Sequence, residues 1–306
     1  MPLIDALRAV TSFSPPARLP DCDLDELGEI LVAHGLAPLA SYQLEHTRLG
    51  AGLPAAFREA LLGHYQGVVN DNVLKLVTLR NVLRGVPDDV PVVLLEAAAY
   101  VDWLYPHMAF RPAGELRVAL RGEDGPRFVK ALEGALSVER TEHEGRVAVF
   151  SDGKISIQAQ EGLWPGGPAD EPLFARRAPY RAFGPAAARP SPEDALLATV
   201  GDQAAMGLLA PLITYVDLRE LVQLPLDAAY VRERAAAAGL GRALHGALVL
   251  VAHFFPETEE AAARLRPELS GPERVAVLRV VDTVRDPARL RHLRGTETAA
   301  RLVVAP

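Results

Sequence analysis

The sequence predicts an α+β fold in which a small mixed sheet is preceded by helices and followed by a helical lobe. Three observations carry this reading. Up to Gly85, apolar residues recur at three- and four-residue steps; between Val92 and Gln158 they fall into short runs bounded by turn residues; from Ser191 the helical spacing returns almost to the C-terminus. The expected segments are 1–90 (N-terminal helices), 91–160 (an α/β core), 161–192 (a proline- and glycine-rich linker or wrapping loop) and 193–306 (a C-terminal helical lobe).

In the first segment, Asp23 followed by Glu26 forms a capping-box pattern. Leu24, Leu27, Ile30 and Leu31 then keep helical spacing until Gly35 offers a stop. Pro54 opens a longer helix through Leu61, Tyr65, Val69, Leu76, Leu79 and Leu83. After Pro87, the run Val92, Val93, Leu94, Leu95 has the signature of a buried strand, and an alanine-rich helix is expected over 97–104. Val118 and Leu120 mark a second strand, and 124–136 a helix whose apolar face carries Phe128, Val129 and Leu132. Residues 147–150 and 155–158 read as two strands joined by a tight turn through Ser151-Asp152-Gly153-Lys154. Seven prolines between 161 and 192 argue against a long helix or a central strand there. Ser191 as N-cap, Pro192 at the first helical position and Asp194 in the first turn start the last segment, with breaks expected at Pro211, Pro225, Pro256 and Gly271.

Composition removes several function classes. A length of 306 residues is enough for two buried cores. The net charge of −7 gives a field that repels polyphosphate backbones, so no nucleic acid partner is expected. Cys22 is the only cysteine, which excludes an intramolecular disulfide, and Asp21 and Asp23 on either side raise its thiol pKa, so it is read as inert. No apolar window reaches the length of a membrane span and no leader pattern opens the chain; a cytoplasmic location without a membrane partner is expected.

Common catalytic motifs are missing too. The eight histidines fall into no His-Glu-x-x-His or Cys/His spacing. Gly239-Leu240-Gly241 with Gly246 imitates a phosphate loop, but Leu244 stands at the third fingerprint position and no Lys-Ser/Thr follows, so a helix-to-helix turn is expected. Gly-x-Ser-x-Gly is absent, which leaves hydrolase readings without support. Arg264, Arg266, Arg274, Arg285, Arg289, Arg291 and Arg294 alternate with acids such as Glu268 and Asp286 and read as solvated helix faces.

Leu94-Leu95-Glu96-Ala97, Tyr105-Pro106, Arg111-Pro112, Gly114-Glu115-Leu116-Arg117 and Ile155-Ser156-Ile157-Gln158 follow one another along the chain, and the helical stretch SPEDALLATVGDQAAMGLLAPLITYVDLRELV comes after them. This order resembles the uncharacterised bacterial nucleotidyltransferases of the DNA polymerase beta superfamily. The resemblance implies a nucleotidyltransferase-like sheet and places the family's Leu-Lys-Gly turn at Leu95-Glu96-Ala97, its Gly-Asp-x-Asp at 114–117 and its later aspartate at Ser156. Asp217 matches an aspartate of the family's helical segment, whereas Asp202 and Met206 replace histidines.

Nucleotidyl transfer sets two divalent cations between carboxylates and the nucleotide's phosphates. Residues i and i+2 of a strand share a face, so Glu115 and Arg117 hold the two positions of the acidic pair. At ~4 Å and an effective dielectric of ~20, exchanging a carboxylate for a guanidinium turns roughly 4 kcal/mol of attraction per unit of metal charge into comparable repulsion. Ser156 offers only a hydroxyl, Glu96 repels phosphate where the family's lysine attracts it, and Ala97 adds a Cβ where the family has glycine.

The expectation is therefore a nucleotidyltransferase-fold protein with vestigial catalytic positions Glu115, Arg117 and Ser156, binding no metal and needing no cofactor, and acting by binding a protein partner or a small anionic ligand. Ligand-binding candidates are Glu96, Ala97, Arg111, Gly114, Arg117 and Gln158, with Arg111 and Arg117 as the anion-holding pair; Glu115 and Arg117 are otherwise expected to form a same-face ion pair worth at most about 1 kcal/mol. One alternative is an active enzyme using Mg²⁺ and a nucleoside triphosphate, with Glu115, Asp102 or Asp152 as recruited ligands. Another is a structural subunit of a protein assembly.

Overall fold

Local capping signals place several of the helices. In the computed structural model, which describes residues 2–135, 139–143, 147–151, 154–164, 170–285 and 296–304, α1 (Pro2–Thr11) precedes the helix announced by Asp23. That helix, α2 (Leu24–Ala33), begins where the Asp23 carboxylate accepts hydrogen bonds from the backbone of Asp25 and Glu26, and stops at Gly35, whose φ of 70° only glycine adopts freely. It is followed by α3 (Ala37–His46) and by the 30-residue α4 (Ala55–Arg84), which opens after Pro54 as the sequence implies.

Strands then alternate with helices. The buried run Val92–Leu95 is β1; α5 (Ala97–Tyr100) follows immediately, and β2 (Leu116–Ala119), α6 (Gly125–Ala135), β3 (Glu139–His143), β4 (Val147–Ser151) and β5 (Ser156–Gln160) come next. The helix expected over 97–104 is a single turn, since residues 101–107 form turns and bends instead. β4 and β5 pair antiparallel with Ser151 opposite Ser156, as two strands closed by a tight turn require; Asp152 and Gly153 of that turn lie outside the described residues.

The proline-rich stretch is not the linker expected. It carries α7 (Glu171–Arg176), β6 (Ala178–Pro179) and β7 (Ala187–Arg189), and β7 adds to the sheet beside β1. Three residues between Pro185 and Pro190 suffice for such a strand, because proline excludes only the positions whose N–H must donate. Among the described residues seven strands form one mixed sheet in the order β3-β4-β5-β2-β1-β7-β6. β1 runs antiparallel to β2 and parallel to β7, and β2 runs parallel to β5.

The rest is helical: α8 (Pro192–Ala205), α9 (Leu212–Val222), α10 (Ala228–Ala237), α11 (Gly241–Phe254), α12 (Glu259–Leu265), α13 (Gly271–Val284) and α14 (Thr296–Val304). Ser191 caps α8, its hydroxyl accepting from the Asp194 backbone at 3.2 Å and donating to the Asp194 carboxylate at 2.9 Å. Gly239 and Leu240 make the turn between α10 and α11. Arg289, Arg291, Arg294 and Asp286 of the expected solvated faces lie outside the described residues. No helix among the described residues is long and apolar enough to cross a membrane.

The chain divides into two compact units, residues 1–68, 109–111 and 199–306 forming one and residues 69–108 and 112–198 the other. The first is helical; Leu27, Ile30, Leu39 and Tyr215 are fully buried in it, and the Tyr215 hydroxyl donates to the Leu208 carbonyl at 2.6 Å. The second holds the whole sheet with Tyr100, Phe128 and Phe174 fully buried, and the Tyr100 hydroxyl donates to the Ala195 carbonyl at 2.8 Å. In both units a buried tyrosine thus meets its polar end with a main-chain acceptor, which avoids the cost of an unpaired hydroxyl. The architecture is the α+β fold that the sequence predicts.

Candidate functional site

The register of the central strands brings the candidate positions together. Leu95 lies opposite Arg117 across β1 and β2, and Arg117 lies beside Gln158 across β2 and β5. Alternation along each strand then puts Glu115, Arg117, Ser156, Gln158 and Gln160 on one face of the sheet. Glu115 is exposed, Ser156 and Gln158 are half-buried, and Arg117 and Gln160 are buried.

Arg117 is not paired with Glu115, contrary to the same-face ion pair expected. Its Nη1 forms an ion pair with the Glu96 carboxylate, and its Nη2 lies 3.4 Å from the Gln160 Oε1. Glu115 instead accepts a hydrogen bond from the Ser156 hydroxyl at 2.9 Å. Strand periodicity fixes which residues share a face, but it does not choose among partners on neighbouring elements, and Glu96 reaches Arg117 from the adjacent strand end. Gln160 closes the buried side of the group: its Nε2 donates to the Gly162 carbonyl at 2.8 Å, and its Oε1 lies 3.4 Å from the Gln158 Nε2.

Glu96 holds the turn that joins β1 to α5, with φ 47° and ψ −129°. Side chains rarely adopt this conformation, and holding one there costs about 1–3 kcal/mol. The Glu96 carbonyl accepts from the backbone N–H of Ala99 at 2.8 Å and of Tyr100 at 2.9 Å, so the strained turn starts the helix. Ala97, expected as the point where a missing glycine matters, is an ordinary buried first residue of α5. The unusual backbone is one residue earlier, and no glycine marks it in the sequence.

The approach to β2 depends on a residue that sequence patterning did not single out. Asn72 of α4 is fully buried; its Nδ2 donates to the Met108 carbonyl at 2.6 Å and its Oδ1 accepts from the Ala113 N–H at 2.9 Å. One side chain therefore pins both ends of the 108–113 segment. Gly114, at φ 55°, then turns the chain into Glu115 and β2. A polar residue on an otherwise apolar helical stripe was the one available signal for Asn72.

Arg111 does not belong to this group. It lies in the helical unit, where its Nε and Nη2 each approach the Asp217 carboxylate at 2.9 Å. The Asp217 side chain is 1% exposed and that of Arg111 11%, so this is a buried, forked ion pair. The anion-holding pair of Arg111 and Arg117 is thus two separate ion pairs, each guanidinium facing a carboxylate of the chain itself. Asp102 is exposed after α5, and Asp152 lies outside the described residues. Among the described residues no three His, Cys, Asp or Glu side chains gather in a way that could hold a metal ion.

No curated protein and no solved structure matches this chain. A model of one family, described as uncharacterised nucleotidyltransferase, matches residues 20–256. The matched span includes α2 to α11, the whole sheet, the Glu96 turn, the Glu115 to Arg117 strand and the Arg111–Asp217 pair. By that match over most of its length, the chain belongs to the uncharacterised nucleotidyltransferase family.

Proposed function

We propose that this chain keeps the nucleotidyltransferase scaffold and works by binding a protein partner, without nucleotidyl transfer. The observation that carries the proposal is the Glu96–Arg117 ion pair. Where the resembling proteins have a lysine at the turn and an aspartate on the strand, this chain has a glutamate and an arginine, so the two positions carry exchanged charges. A divalent cation at position 117 meets a guanidinium, and a triphosphate at the turn meets a carboxylate. The residues present do not fit a two-cation site: Glu115 is exposed and hydrogen-bonded to Ser156, Arg117 holds the second position of the pair, and among the described residues no three His, Cys, Asp or Glu side chains gather in a way that could hold a metal ion.

A small anion is less favoured as the ligand, since it must displace Glu96 from Arg117 or Asp217 from Arg111. A protein partner is favoured by Val73, Leu74 and Val77, which lie close together on α4 and are 43–47% exposed. Incubation with labelled nucleoside triphosphates and Mg²⁺ tests the catalytic half of the proposal. No transfer is expected, and robust Mg²⁺-dependent transfer abolished by Glu115→Ala overturns it. Co-purification of the native chain and a Leu74→Asp variant tests the other half: a partner retained by the first and lost by the second is expected, and equal recovery by both refutes the assignment.

A further inference from the structure

The helical unit contains a cavity whose lining residues all belong to that unit. The cavity, of about 630 Å³, opens beside α1 and α9, lined by acidic, basic and aromatic side chains that include Phe13, Arg219, Glu220, Phe255 and Glu257. Arg219 is the unusual member. Its residue is 3% exposed, its Nε donates to Glu220 at 2.7 Å and its Nη1 to the Thr11 carbonyl at 2.8 Å, but its buried Nη2 has no hydrogen-bond partner among the described residues. Its guanidinium lies 5.1 Å from the Phe13 ring and 4.8 Å from the Phe255 ring. A buried guanidinium nitrogen without an acceptor is costly, and a ligand oxygen would remove that cost.

The acids of the same wall set the other end of the ligand. Glu220 is engaged by Arg219, and Asp5 by Arg8 at 3.0 Å. Glu257 is exposed, and burial, helped by the nearby charges of Glu257 and Asp217 and opposed by Arg219, pushes the Glu220 carboxyl above the usual carboxylate range. Phe13, Pro16, Pro20 and Phe255 supply apolar surface between the charged groups. We propose that this cavity binds a small zwitterion of the α-amino-acid type with an apolar side chain, its carboxylate on Arg219 Nη2, its ammonium toward Glu220 and Glu257, and its side chain against Phe13 and Phe255. The proposal is independent of the sheet site and stands or falls apart from it.

Calorimetric titration of the full chain with L-phenylalanine tests it, with phenethylamine and 3-phenylpropionate as probes that each lack one charge. Saturable binding of the amino acid is expected, weakened at least about tenfold for either probe, because each loses a charge-assisted contact. Glu257→Gln and Phe13→Ala are each expected to weaken amino-acid binding by roughly fivefold or more while leaving the unfolding midpoint near that of the native chain, since both side chains are exposed. Three results overturn the proposal: no binding of L-phenylalanine at millimolar concentration, equal binding of a single-charge probe, or binding that neither substitution changes.

Discussion

The guanidinium of Arg117, in the middle of β2, forms an ion pair with the carboxylate of Glu96, the residue that turns the chain from β1 into α5. The Arg117 side chain is 9% exposed and that of Glu96 21%, so the pair is largely withdrawn from water. Removing one partner leaves the other charge largely buried without its counter-charge, the situation in which an ion pair has a large effect.

Glu96→Gln and Arg117→Ala are each expected to destabilise the protein by about 2–3 kcal/mol in urea unfolding. The charge-exchanged double variant, Glu96→Lys with Arg117→Asp, is expected to recover at least about 1 kcal/mol relative to the sum of its single changes. Strict additivity of the two contradicts a direct pairing.

The backbone at Glu96 gives a separate test. Glu96→Ala and Glu96→Gly both lose the ion pair, but only glycine accepts φ 47° without strain. The glycine variant is expected to be the more stable by about 1 kcal/mol in the same unfolding experiment. This is the reverse of the order seen inside an ordinary helix, and an alanine variant of equal or greater stability refutes the strained turn.

Asp217 and Arg111 form a largely enclosed ion pair in the helical unit. Asp217→Ala is expected to cost about 3–5 kcal/mol, because it leaves a guanidinium with 11% exposure facing a vacated site. Simultaneous Arg111→Met is expected to restore a good part of that loss, which thermal unfolding of the single and double variants measures.

Cys22 is expected to react slowly in the native state. Burial, followed by the charges of Asp23, Asp21 and Glu26, raises its thiol pKa, so the thiolate fraction near pH 8 falls below that of a free cysteine. The sequence shows the flanking aspartates but not the burial, which is the larger cause. Alkylation by iodoacetamide is expected to run at least about threefold faster in the urea-unfolded chain than in the folded one. Equal rates contradict this account.

Much of the scaffold is legible because its signals are local. Asp23, Gly35, Pro54 and the Ser191-Pro192 pair act within a turn of their own positions, and the apolar run of β1 and the β4–β5 hairpin strands need only neighbouring residues to be recognised. β7 is hidden because three residues among prolines carry no periodicity, and it becomes a strand only through pairing with β1. The same divide runs through the site. The face shared by Glu115, Arg117, Ser156 and Gln158 follows from alternation and from the family resemblance. That Arg117 turns to Glu96, that Arg111 turns to Asp217, and that Asn72 pins the approach to β2 are choices made by packing between distant segments.

The exchanged charges at positions 96 and 117 are tested most directly by calorimetric titration of the native chain with a nucleoside triphosphate in the presence and absence of Mg²⁺. The account predicts no saturable heat in either condition, because carboxylate meets phosphate at the turn and guanidinium meets the cation on the strand. Saturable binding that requires Mg²⁺ and disappears in Glu115→Ala contradicts it.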